Sequence, residues 1–189
     1  MKQNQKSLLH GRRQGMKQTS SMQQTGAGMS TGINEFHMPR YQELPDVGLY
    51  LEQTTKYINR YLEPLGCMEI TSSMISNYVK KGYVASPIRK QYYREQIAQL
   101  FFIAVAKNVL SMENIGKLFA LQKKTYPTQV AFDYFCREFE DRLHIIFGLR
   151  ETVDPEESID GSPKKMLHSA VIAMANIIYL SHQFEEMGN

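Results

Sequence analysis

Between Thr71 and Arg94 the chain carries five cations, Lys80, Lys81, Arg89, Lys90 and Arg94, and neither Asp nor Glu. Cationic side chains concentrated without opposing acids suit phosphate. Each one that meets a nucleic-acid backbone displaces condensed counterions, and the affinity gained falls with salt. Beside them stand Thr71, Ser72, Ser73, Ser76 and Asn77, short polar side chains that an exposed helix face can turn toward base edges. Asn77 is the one suited to a bidentate contact with adenine. Lys80 and Lys81 have a plainer use as well, since cations near a helix C-terminus complement its dipole.

Other chemistry finds little support. The five histidines, His10, His37, His144, His168 and His182, form no HExxH and no metal-ligand spacing with Cys67 or Cys136. The two cysteines lie far apart and read as reduced small hydrophobes in a cytosolic protein. No serine sits in a nucleophile elbow. A calcium loop starting at Asp154 fails, because its glycine position is Ile159 and its closing glutamate is Lys165. Gly26-Ala27-Gly28 with Gly32 lacks the preceding strand and the spacing of a phosphate loop. No catalytic residue, metal or cofactor is expected, and the chain reads as a non-enzyme.

The elements that position the cations are short. Thr71 is a natural N-cap, Met74, Ile75, Tyr78 and Val79 recur at helical spacing, and Gly82 stands where a helix end wants a left-handed residue. A turn at Ser86-Pro87 and a brief extended basic segment follow, then a helix from about Tyr93. Helix, basic wing, helix is the order of a winged helix-turn-helix. Ahead of it, Asp46 is expected to cap a helix whose Val47, Tyr50, Leu51, Thr54, Tyr57, Ile58, Tyr61 and Leu62 share a face, ended by Pro64. Behind it, Ile97, Leu100, Phe101, Ala104 and Val105 form a wide stripe, and Ser111 caps a helix from Met112 to about Lys123. Tyr92 and Tyr93, beside Arg94, suit either stacking on bases or packing the wing, and for Tyr93 packing is the preferred role.

These residues carry a resemblance. The run Thr71 to Pro87, with Lys90, Tyr92, Ile97, Leu100, Ile103 and Leu110-Ser111-Met112-Glu113-Asn114-Ile115, resembles the MerR-type DNA-binding domain. On that pattern Tyr78 falls on an aromatic of the helix, Gly82 and Pro87 on the turn, Lys90 on the wing arginine and Tyr92 on the wing tyrosine. Ser76 and Asn77 stand where the family has an arginine and a tyrosine, and the turn is one residue longer. The opening ELPDVGLYLEQTTKYINRYLE with this helix is also similar to an uncharacterised bacterial family, a domain of unknown function, over roughly Glu43 to Leu121. The resemblance implies a bacterial transcription regulator bound to double-stranded DNA through Thr71, Ser72, Ser73, Ser76, Asn77, Tyr78, Lys80, Lys81, Arg89, Lys90, Tyr92 and Arg94. Ser76 and Asn77 keep a second class open, an adaptor whose winged helix serves as a partner-binding surface.

The flanks complete the expected organisation: a basic arm over 1–40, the winged unit over 41–124 and a C-terminal helical region over 125–189. At 189 residues with 42% hydrophobic content the chain can build a real core, and a net charge of +3 says little by itself. Residues 1–40 are rich in Gln, Ser, Thr, Gly and Met without periodicity and read as disordered. Their Lys2, Lys6, Arg12, Arg13, Lys17 and Arg40 face one acid, Glu35, so the arm either strengthens nucleic-acid binding or is a solvated tail. No signal-peptide core opens the chain, and Ala170 to Leu180, at 11 residues, is short for a membrane span, so a soluble cytoplasmic protein is expected. Ala131, Phe135, Phe139, Leu143 and Phe147 step by four up to Gly148, and an acidic loop over 149–162 leads to a helix from Lys164 to Glu185. That last helix is apolar on two sides, with Ile172, Ala173 and Leu180 opposite the main stripe. It is expected to hold a homodimer; the alternative places it centrally between the preceding helix and the winged unit. The expected fold is all-α.

Overall fold

A computed structural model describes residues 32–66, 68–151 and 162–188. The basic arm up to residue 31, the Gly26–Gly28 run, Cys67 and most of the acidic loop lie outside the described residues. The chain is all-α, with helices α1 Leu51–Leu62, α2 Ser72–Lys80, α3 Arg94–Ala106, α4 Met112–Thr125, α5 Thr128–Ile146 and α6 Ser162–Gly188. A two-stranded antiparallel sheet joins β1, Leu49–Tyr50, to β2, Gln91–Tyr92, with Leu49 opposite Tyr92 and Tyr50 opposite Gln91.

The caps follow local chemistry. Thr71 and Ser111 cap α2 and α4 through their hydroxyls, which accept the N–H groups of Met74 and Asn114 at 3.2 Å each. The helix expected from Asp46 begins later. Residues 49–50 are extended because they pair with β2, and Gly48 makes the pairing possible. A Cβ there would stand 2.6 Å from that of Gln91 and 2.9 Å from the Tyr93 ring. Gln53 then accepts the N–H of Tyr50 at 2.9 Å and starts α1 at Leu51.

Helix α3 is the axis of the core. Every residue from Gln96 to Ala106 is buried, so neighbouring elements cover it on all sides. Phe102 meets Phe135 at 5.0 Å between ring centroids, Phe101 meets Tyr61 at 5.9 Å, and Phe135 stacks on Phe139 at 5.7 Å. The buried side chains form one cluster that runs from Ile33 to Ile178, so the boundary expected at 124 separates no two cores.

One expectation about the flanks changes. Residues 32–40 are a strap laid along α5 rather than a loose arm. Ile33 and Met38 are fully buried, Phe36 nearly so, and Phe36 packs edge-on to Phe139. Glu140 accepts the Met38 N–H at 2.7 Å and pairs with the Arg40 guanidinium through both oxygens, at 2.9 and 2.5 Å. Asp133 accepts the Tyr41 N–H at 2.7 Å, and the Cys136 thiol points at the Pro39 carbonyl at 3.6 Å. Asp133, Cys136 and Glu140 therefore make a polar stripe on α5 that nothing in the composition of residues 1–40 leads one to expect. Helix α6 lies mainly on α5 and also touches α3 and α4. It buries Val171, Met174, Ala175 and Ile178, while Ile172, Ile177, Leu180, Phe184 and Met187 stay exposed.

Candidate nucleic-acid interface

Helix α2 is held from behind. Asn59 of α1 clamps Ile70, donating to its carbonyl at 2.8 Å and accepting its N–H at 3.0 Å. Thr55 and Ser72 share a hydrogen bond of 3.0 Å, and the Lys107 ammonium donates to the carbonyl of Glu69. Ile75 and Tyr78 anchor the inner face. The outer face presents Thr71, Ser73, Ser76, Asn77, Lys80 and Lys81, all exposed. The Ser76 hydroxyl donates back to the Ser72 carbonyl at 2.9 Å, and those of Thr71 and Ser73 lie 3.0 Å apart.

Gly82 ends the helix at φ 75°, with its N–H bonded to Val79 and that of Tyr83 to Tyr78, a Schellman closure. The chain then reaches a tight turn. Ile88 and Gln91 exchange both backbone hydrogen bonds, at 3.0 and 2.9 Å, leaving Arg89 and Lys90 as the two central residues. Both take left-handed conformations, φ 50° and 66°, and both are exposed. A two-residue turn with two positive φ angles normally uses Asn-Gly. For residues with a Cβ this conformation costs roughly 1–2 kcal/mol each. Gln96, one turn into α3, braces the base of this segment by donating to the carbonyls of Ala85 and Ser86, each at 3.0 Å.

Three of the expected contacts are turned inward. Tyr78 and Tyr92 are core residues, 5% and 4% exposed, and burial pushes both phenol pKa values up. Arg94 is occupied: its Nε donates to the Leu44 carbonyl at 2.8 Å and its Nη2 to the Gln42 carbonyl at 3.3 Å. It ties residues 42–44, which follow the strap, to the start of α3 and is no free cation. Ser72 is half-buried against Thr55. The structure therefore leaves Thr71, Ser73, Ser76, Asn77, Lys80, Lys81, Arg89 and Lys90 on the surface. Asn59 and Gln96, which hold them in place, were missed in the sequence. Gln96 carried a signal, since a polar residue opening a stretch as apolar as 97–106 must find a partner when it is buried.

Among the described residues no cluster of His, Cys, Asp or Glu could hold a metal ion, and no helix is long and apolar enough to cross a membrane. Compared with family models, residues 39–135, just over half of the chain, match a domain of unknown function, DUF1836. The chain belongs to the DUF1836 family. No curated protein and no solved structure gives a significant match. The DUF1836 region contains α1 to α4, the two short strands, the cationic turn and the first turns of α5. The remainder of α5 and all of α6 lie beyond it.

Proposed function

We propose that this DUF1836 chain is a transcriptional regulator that binds double-stranded DNA, with α2 facing base edges and the Arg89-Lys90 turn gripping the backbone in the manner of a MerR-like wing. The carrying observation is that turn. Two cations occupy the central positions where an Asn-Gly pair would relieve the backbone, and strain of this kind persists where it serves a contact. The absence of Asp and Glu from 71–94 keeps the face uniformly attractive to phosphate. The protein acts as a homodimer, because one module of this size makes few phosphate contacts and two half-sites supply the rest. The open stripe of α6 is the seam. Ile177, Leu180, Phe184 and Met187 follow 3-4-3 spacing along one side, from 37% to 80% exposed.

Titration of a labelled duplex at several salt concentrations tests the reading. Replacing Lys80, Lys81, Arg89 or Lys90 singly should weaken binding to all duplexes alike. It should also make the slope of log affinity against log salt shallower by about 0.9 for each phosphate no longer neutralised. Asn77→Ala should relax preference at one position, at about 1–3 kcal/mol. No duplex binding at low salt defeats the proposal.

A second reading, a non-enzymatic adaptor, has one observation in its favour. Val47, Tyr50 and Ile88 are exposed at 67%, 54% and 62%, and Tyr50 and Ile88 both flank Gln91. Apolar groups beside the turn suit a protein surface better than a phosphate backbone. Substituting them with Ser should leave DNA affinity intact under the first reading.

A further inference from the structure

We infer that the cleft between α3, α4, α5 and the first turn of α6 is a binding site for a small amphipathic carboxylate, an apolar chain or ring with one anionic head. The cleft encloses about 320 Å³. That is at the lower bound of small-molecule sites, which run from about 300 to 1,000 Å³, and about ten times the ~30 Å³ share of one water. Its inner wall is aromatic and aliphatic, from Phe102 on α3, Leu118 and Phe119 on α4, and Phe132 and Phe135 on α5. Water against this wall finds few polar partners, whereas a hydrocarbon body gains contacts along it.

The polar groups are few, and the charged ones are of one sign. Among the described residues Arg137 and Lys164 line the cleft, and no Asp or Glu does. The Lys164 ammonium stands 5.6 Å above the centre of the Tyr134 ring, and among the described residues Arg137 makes no ion pair. An anionic head between these two cations gains charge-assisted hydrogen bonds, and an amine is repelled. Gln99 adds an independent observation. It is 6% exposed, it lines the cleft, and its carboxamide has no hydrogen-bond partner among the described residues. Its amide atoms stay open to solvent through the cleft, and a ligand oxygen can accept from the NH₂ in place of water. A carboxylate with an apolar tail satisfies the wall, the cations and the carboxamide together. Nothing in this site depends on DNA binding.

The test uses the full-length protein with decanoate, decanol and decylamine, followed by calorimetry and by side-chain NMR shifts below the micelle concentration. Decanoate should bind saturably with one site, ahead of decanol and well ahead of decylamine, and should perturb the Phe102, Leu118 and Phe119 signals. Replacing Arg137 and Lys164 together with Gln leaves the apolar core untouched. It should weaken decanoate about tenfold while leaving decanol unchanged, as expected when a charge-assisted hydrogen bond is removed. Leu118→Trp should block all three. An absence of saturable decanoate binding overturns the assignment. So does decanol or decylamine binding as tightly, or a double variant that binds decanoate like the wild type. If Leu118→Trp fails to fold, the Arg137/Lys164 variant alone decides.

Discussion

At the scale of single residues, the Arg89-Lys90 turn sets stability against function. Replacing the pair with an Asn-Gly dipeptide, by Arg89→Asn and Lys90→Gly, supplies the residues this backbone prefers. The variant should gain about 1–3 kcal/mol in chemical denaturation and give up two phosphate contacts in a duplex titration. A variant that is no more stable would mean that the left-handed pair is unstrained. Cys136 is a second reporter. It is fully buried, burial pushes its thiol pKa well up, and it lies beneath Pro39 of the strap. In a Cys67→Ser background it should resist alkylation until the strap lifts, and Arg40→Ala should speed its labelling. The cations of the turn were legible from composition alone. Their left-handed geometry was not, because neither Arg nor Lys signals positive φ. The inward turn of Arg94 was hidden for a related reason: its partners are backbone carbonyls about 50 residues away, and carbonyls leave no mark in sequence.

At the scale of elements, caps and periodicity served well. Thr71, Ser111 and Gly82 marked helix ends that the structure keeps, since each acts on backbone within a few residues of itself. The start of α1 was misplaced because strand pairing across 43 residues outweighed a local cap at Asp46. The two-sided apolar pattern of α6 was also visible, and the structure divides it. Val171, Met174 and Ile178 enter the core, and Leu180 and Phe184 remain in solvent at 46% and 66%. Changing both Leu180 and Phe184 to Glu should therefore leave the fold and its melting transition intact. Sedimentation should shift to monomer, with weakened duplex binding. A wild-type protein that sediments as a monomer at micromolar concentration would remove the seam.

At the scale of the whole molecule, the strap makes one body of what the sequence divides into an arm, a winged unit and a helical pair. Phe36→Ala should cost about 3–5 kcal/mol in a denaturation experiment, a loss typical of a buried ring and incompatible with a free arm. The strap also imposes an order on biosynthesis. Arg40 emerges first from the ribosome, yet its partner Glu140 follows 100 residues later. At about 5–20 residues per second, that interval is roughly 5–20 s, during which Ile33, Phe36 and Met38 have no α5 to cover them. The nascent chain thus leaves these three side chains uncovered for that interval, and slowing translation before α5 should increase its capture by chaperones.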